Sequence, residues 1–290
     1  MQVEGEVEAL RDKFSKDELL TLFQTVMWSK PRIQKLQLPS ANVWLKRQGV
    51  EKPIVWRKLQ RVAAKLLPYA FMRPAPILDA EGMNQREVRA AQKFANSGFP
   101  VPELIYCGPR MVLLGDVGPT VAELLSTIRT SDPETHEELI IRSVEALGNV
   151  HAAGLCHGRP HLRDFFLKGE EVGFLDFEER PEDVMSLETA QARDLWLLFL
   201  TTSTMSLDLQ NTFERAYKAW SLRAPIGAQQ ELRQMIAVLG RFLPIVRLIG
   251  RVRMGSDLRR FILATEFLKN ALESDAAPDG AGKAGKDDRT

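Results

Sequence analysis

Apolar positions along this chain change their spacing near residue 119. Upstream, short apolar runs are broken by turn residues; downstream, apolar residues recur every three or four positions almost to the end, as helices require. Residues 1–38 read as a helical N-terminal extension whose strongest segment is DELLTLFQTVMW. NVWLKR (42–47) reads as a short strand, and the basic stretch VWRKLQRVAAKLLPYAFMRPAP follows, ending in a proline-rich break. NQREVRAAQKFANSG predicts a helix with Gly98 as its stop. FPVPELIYCGPRMVLLGDVG predicts two strands around a Gly-Pro turn. In PETHEELIIRSVEALGNVHAAG, Ile140, Val144, Leu147 and His151 fall on one helical face. EEVGFLDFEE is a strand amid helices, LETAQARDLWLLFLTTS is another amphipathic helix, and at least two more follow to about residue 273. The tail, SDAAPDGAGKAGKDDRT, has nothing to bury and is expected to be disordered. With no internal repeat, the chain divides into an extension (1–38), a strand-containing unit (39–118), a helical unit (119–273) and a tail (274–290).

Composition narrows the function classes. The 290 residues are 44% hydrophobic, enough for a substantial core. A net charge of +1 and a pI of 7.8 argue against a nucleic-acid partner for the chain as a whole. Cys107 and Cys156 have no metal-ligand spacing and are read as reduced thiols of a cytosolic protein, with one disulfide between them as the alternative. The acidic start, MQVEGEVEALRDKF, lacks the apolar core of a signal peptide, and no apolar run reaches the ~18–20 residues of a membrane span. The reading is a soluble, cytoplasmic protein.

Chemistry concentrates in HAAGLCHGRPHLRDFFLKGEEVGFLDFEER (151–180). Asp176 ends the apolar strand VGFL, and Asp164 precedes FFL, the strand that would pair with 172–175 across KGEE. Two carboxylates on one hairpin can converge on a hard divalent cation such as Mg²⁺, which takes one or two carboxylates plus phosphate oxygens. The plainer alternative is a turn residue and a strand-end residue, both ordinary places for Asp.

The order of residues in this segment, His151, Gly154, Leu155, His157, Gly158, Asp164, Leu167, Leu175, Asp176 and Phe177, resembles the catalytic and metal-binding segment of small bacterial and atypical kinases. It is most similar to the lipopolysaccharide inner-core (Kdo and heptose) kinases, and more distantly to the KEOPS-associated small kinases. The resemblance spans roughly residues 40 to 200 and implies an α+β, bilobal protein-kinase-like fold, with a small strand-containing N-lobe and a larger, mostly helical C-lobe. By it, Asp176 stands at the metal-binding Asp of the Asp-Phe-Gly motif, Asp164 at the second metal ligand, and Glu178 replaces the glycine. A kinase also needs a strand lysine for the phosphates and a helix glutamate to orient it. The resemblance gives these to Lys46 in VWLKR and Glu87 in QREVRAAQKFANSG. Lys58 competes with Lys46, but its neighbours WRKLQRVAAK are basic at helical spacing and suit a solvated helix. The adenine would lie near Leu113 to Val117. Asp194 in ARDLW would support the catalytic loop from below, or else face solvent beside Arg193. His151 and His157 are read as structural. No glycine-rich loop precedes Lys46, and LQLPSAN (36–42) is expected to take its place.

Arg159 departs from the pattern, for it occupies the position of the catalytic Asp. Arginine keeps its proton and cannot act as a base. Three readings follow: a silent nucleotide-binding pseudokinase, catalysis assisted by His161, Asp164 or His157, or an arginine that clamps a phosphate-bearing substrate or the transferring phosphoryl group. General-base help is worth only ~10²–10⁴-fold, so its loss need not abolish transfer.

Arg241, Arg247, Arg251, Arg253, Arg259 and Arg260 lie among apolar residues near the C-terminus. A packed helix pair with a basic solvated face is the preferred reading, and contact with an anionic inner-membrane surface the alternative. Taken together, the expectation is an ATP- and Mg²⁺-dependent kinase-like phosphotransferase. Its acceptor would be a hydroxyl of a lipopolysaccharide core sugar or related lipid-linked sugar rather than a protein. The alternative is a silent scaffold, and AMP transfer is a third option.

Overall fold

Ser15 opens a helix by a reciprocal cap: its hydroxyl accepts the N–H of Glu18, whose carboxylate accepts the N–H of Ser15. The computed structural model describes residues 10–48, 69–76 and 78–276. Lys58, most of the basic stretch around it, the first nine residues and the tail from 277 lie outside the described residues. Helix α1 (Lys16–Trp28) is tied to the sheet below it, because Glu18 also accepts the N–H of Ser40 at 2.7 Å. Hydrogen bonds from Ser40 above all, then Ser15, hold this carboxyl down to about 2.

The segment after α1 departs from the expected helical extension. Pro31 breaks the helical spacing, and Leu36 and Leu38 then bury two residues apart, so Ile33–Gln37 forms strand β1. It pairs antiparallel with β2 (Asn42–Arg47), in register Ile33 to Lys46. With β3 (Leu104–Gly108) and β4 (Met111–Gly115) they form an antiparallel sheet ordered β1-β2-β4-β3. Phe14 and Leu22 cover one sheet face, packing with Leu36, Val43, Leu45 and Leu113. Helix α2 (Ala80–Asn96) starts at Asp79, whose side chain accepts the N–H of Gly82. Asn84 fixes α2 to the sheet by donating to the Gly108 carbonyl at 2.7 Å.

The larger lobe comprises α3 (Val121–Ile128), α4 (Pro133–Ala152), α5 (Leu187–Thr202), α6 (Leu209–Ser221), α7 (Ile226–Val252) and α8 (Ser256–Ala276). Ile140, Val144 and Leu147 of α4 bury into its core beside Leu195, Phe199 and Trp220. The architecture is therefore α+β and bilobal, with a sheet-based small lobe and a helical large one. Helix α8 runs three residues into the segment expected to be a disordered tail, and its last turn is held where Tyr217 donates to the Asp275 carboxylate at 3.0 Å.

The large lobe also carries a two-stranded hairpin, β5 (Phe165–Lys168) and β6 (Glu171–Phe174), in register Phe165 to Phe174. Gly173 leaves room for the ring opposite it. A Cβ at that position would come within 2.3 Å of the facing Phe166 ring.

Glu137 near the start of α4 accepts hydrogen bonds from the Ser206 and Thr212 hydroxyls and from the Leu207 N–H at 2.9 Å, joining α4 to the turn before α6. Burial would raise this carboxyl, but those donors outweigh it and bring it to about 2, against 4.5 for a free Glu. A depressed carboxyl stabilises the fold fully above its unfolded value and progressively less as pH falls towards its folded value. Glu137→Gln is therefore expected to lower the melting temperature by several degrees at pH 7. In circular dichroism melts the gap from the wild type should narrow at pH 3; an equal gap at both values would refute this account.

Candidate active site

Strand alternation decides which β2 side chains meet the interlobe cavity. Val43 and Leu45 face α1, so Trp44 and Lys46 face the opposite side and line a cavity of about 780 Å³. Lys46 is buried, its side chain 8% exposed, with Nζ 2.6 Å from Glu87 of α2, 2.6 Å from Asp176 and 2.8 Å from Glu178. Burial alone would weaken its hold on a proton; Glu87, Asp176 and Glu178 outweigh that and push the ammonium above its usual range. The second oxygen of Glu87 accepts from Gln48 at 2.8 Å, so both carboxylate oxygens are fixed. Burial raises Glu87, offset only in part by Lys46. Arg86 anchors α2 to the large lobe through Asp183 at 3.2 Å.

Asp176 reaches Lys46 because the chain reverses directly after β6. Its φ of +62° is in the left-handed region, and no other non-glycine residue among those described is placed there. Asp is one of the few side chains that tolerate this conformation, and such strain persists where the surroundings enforce it. On one side the Leu175 carbonyl accepts from His157 Nε2 at 2.9 Å; on the other, Phe177 packs under α2 against Phe94, ring centroids 4.6 Å apart. Burial would raise the Asp176 carboxyl, but Lys46 prevails and lowers it.

Asp164 ends a turn of 3₁₀ helix (Leu162–Asp164) and lines the same cavity. Its carbonyl accepts the Leu175 N–H at 2.7 Å, which brings the two acidic residues to one place. Burial first, then the charge of Asp176, pushes its carboxyl up to about 7.

Below this loop, Asp194 is wholly buried and accepts the N–H groups of His157 at 2.6 Å and Gly158 at 3.0 Å. It does not share solvent with Arg193, which instead donates to the Gly158 carbonyl and pairs with Glu179. Gly158, at φ +98°, approaches the Glu179 carbonyl so closely that a Cβ would lie 2.6 Å from it. His151 Nδ1 accepts from Trp220 at 2.9 Å, so its proton is on Nε2, which faces Asp194 at 3.6 Å. His157, lowered by burial, is neutral. Both histidines belong to the support beneath the loop.

Three expected placements need correction. Leu113 faces α1 within the small-lobe core, and its neighbours Val112 and Leu114 line the cavity with Val117; the period-two alternation of β4 reverses the assignment. The LQLPSAN segment does not overhang the phosphate end. Its turn lies at the far end of the β1–β2 pair, beside the linker, where the Asp116 N–H donates to the Asn42 carbonyl. His161 lies outside the cavity lining, and its Nδ1 accepts the Arg163 N–H at 3.1 Å, leaving the protonated Nε2 as a donor. Burial, then Arg163, Arg260 and Arg159, bring its pKa down to about 4, so it is a weak base. Arg159 does line the cavity, half exposed, 3.6 Å from Glu179.

Residues not anticipated from the sequence complete the site. Arg32, just before β1, lines the cavity and ion-pairs with Glu178. Trp44 donates to Asp116 at 2.7 Å, and Lys35 pairs with the other oxygen of Asp116 at 2.8 Å, bracing the linker against the sheet. Only Pro31, ahead of the alternating leucines, hinted that the chain turns towards the cavity at Arg32.

A strand lysine ion-paired to a helix glutamate, opposite two carboxylates across one cavity, is the arrangement of a protein-kinase-like cleft. No family model matches the chain. An uncharacterized protein of Haemophilus influenzae is 31% identical over 182 residues, covering 63% of this chain and 66% of that protein. Among solved structures, WaaP in complex with acyl carrier protein is similar with a TM-score of 0.46 and 14% identity, covering 76% of this chain and 88% of that one.

Asp194→Ala would leave two buried N–H groups without an acceptor, at ~1–3 kcal/mol each. The variant is expected to melt at least ~5 °C lower and to lose hydrogen-exchange protection at His157 and Gly158 first. Unchanged protection at those two amides would contradict the supporting role.

Proposed function

We propose that this chain binds ATP with a divalent cation between its lobes and transfers a phosphoryl group to a hydroxyl acceptor. The observation that carries this reading is the meeting of Lys46, Glu87, Asp164 and Asp176 at one cavity. Lys46 would hold nucleotide phosphates, with Glu87 and Gln48 fixing its direction. Val112, Leu114 and Val117 offer an apolar wall for the base. Asp164 and Asp176 fit a hard cation: the carboxylate of Asp164 is buried, that of Asp176 only partly so, and the charge of Asp176 lifts the proton affinity of Asp164. Phosphate oxygens and water would complete the coordination of such a cation. When bound, Mg²⁺ neutralises phosphate charge.

Arg159 cannot take the acceptor's proton, and His161 is a weak base whose accepting nitrogen is already engaged. Transfer would then rest on positioning and charge neutralisation. Arg159 and Arg163, both lining the cavity, suit an acceptor that itself carries an anionic group. That favours a lipopolysaccharide core sugar or a related saccharide over a protein. Arg159 is also the observation that favours the second reading, a silent nucleotide-binding module.

Differential scanning fluorimetry separates these readings from no function at the cleft. ATP with Mg²⁺ should raise the melting temperature by a few degrees, and Asp176→Asn should remove the gain; no gain for the wild type would overturn nucleotide binding. Label from γ-labelled ATP appearing in a saccharide acceptor supports phosphoryl transfer. Label only from α-labelled ATP would mean AMP transfer, and binding with no labelled product would mean the silent module.

The far half of α7 bears on where the acceptor is met. Leu232, Ile236, Leu239 and Leu243 of α7 are buried, but Ile245, Leu248, Ile249 and Val252 are 57%, 61%, 51% and 89% exposed, beside Arg251 and Arg253. The packed pair preferred from the sequence continues into this half, where Arg247 pairs with Glu266 of α8 at 2.6 Å, but these four apolar side chains stay uncovered. No helix among the described residues is long and apolar enough to cross a membrane. Exposed apolar groups interleaved with arginines fit a helix end resting on an anionic lipid surface. Sedimentation with vesicles should show binding to mixed phosphatidylglycerol–phosphatidylcholine and not to phosphatidylcholine alone, reduced roughly fivefold per arginine removed in Arg251→Gln and Arg253→Gln. Equal recovery with both vesicle types would eliminate the surface contact.

A further inference from the structure

Two departures from the kinase pattern, the missing glycine-rich loop and the glutamate after Asp-Phe, meet in one ion pair. The connector between α1 and β1 passes level with Lys46, because the Arg47 N–H donates to the Arg32 carbonyl at 2.8 Å. The Arg47 guanidinium then holds the Pro31 carbonyl at 2.9 Å and the Thr25 carbonyl of α1 at 2.7 Å. The connector is thereby fixed to β2 and α1 together, and Arg32 enters the cavity from a rigid base. Its guanidinium pairs with Glu178, and the same Glu178 oxygen is 2.8 Å from Lys46.

We propose that Arg32 is a phosphate-binding residue for the nucleotide, doing from the α1–β1 connector what the amides of a glycine-rich loop do in other phosphate sites, with Glu178 as its counter-ion before ligand arrives. This rests on the nucleotide reading above. The phosphate end of the cavity holds two cations, Arg32 and Lys46, against Glu87, Asp176 and Glu178. A triphosphate competes with Glu178 for both cations, and a guanidinium fork matches phosphate oxygens in pairs, which one ammonium cannot do. Glu178 is the dispensable anion of the three: Lys46 keeps Glu87 and Asp176 when it leaves. Its presence lowers affinity for phosphates, and its position holds Arg32 pointed at the place where they bind.

Isothermal titration of the full chain with ATP·Mg²⁺ and, separately, with adenosine tests this. Arg32→Ala should weaken ATP by roughly tenfold or more, the worth of a charge-assisted hydrogen bond, and leave adenosine affinity unchanged, which also reports an intact cleft. Arg32→Lys should fall between. Glu178→Gln should tighten ATP binding, and the gain should shrink when Arg32→Ala is added. Equal weakening of ATP and adenosine by Arg32→Ala, or weaker ATP binding in Glu178→Gln, would overturn the assignment. Wild-type protein that binds ATP while Arg32→Ala is indistinguishable from it would remove Arg32 and leave the nucleotide reading standing. Wild type that binds no ATP would remove both.

Discussion

The ammonium of Lys46 is a charge on which both lobes converge. It belongs to the small-lobe sheet, its first partner to α2, and the other two to the segment leaving the large-lobe hairpin. Burying such a group is costly unless it is paired and hydrogen-bonded, so sheet, helix and hairpin exit are held to a shared geometry. Three carboxylates around one lysine are more than it needs, and this excess explains much of what surrounds it. Glu178 is shared with Arg32, Glu87 is shared with Gln48, and Asp164, buried and then facing the charge of Asp176, rises to about 7.

Beneath that charged layer lies a ring-on-ring layer. Phe94 of α2 meets Phe177, Phe174 and Phe99, and His157 meets Phe165, Phe174 and Phe177. Asp194 fixes the backbone on which His157 rides. The acidic groups at the cavity are therefore presented from a packed aromatic floor, a support that limits how far their carboxylates can wander.

Local spacing made the large lobe and the hairpin legible. Four residues on one face announced α4, and the turn KGEE between apolar runs announced the β5–β6 pair. The meeting of Lys46 with Glu87 followed from the resemblance, since no local pattern joins residues 41 positions apart. What escaped was decided by tertiary placement. Leu113 and Leu114 are identical in type, and only the covering helix tells which is core. The turn in LQLPSAN has loop composition, but strand pairing carries it away from Lys46. Arg32 lies in no motif; its importance comes from Glu178, 146 residues downstream. For Asp194 the sequence left two readings open, a support below the loop or a surface pair with Arg193, and only the packed helix decides for the inward one.

Helix α1 and strand β1 shield the small sheet rather than decorate it. A fragment begun at residue 39, where composition alone would cut, would strip away Phe14, Leu22 and Leu36, baring Val43, Leu45 and Leu113 to water. It would also expose β2 as a hydrophobic edge open to pairing with another chain. Such a fragment would be expected to self-associate, and any inactivity it showed would report on the missing cover instead of the chemistry of the cleft.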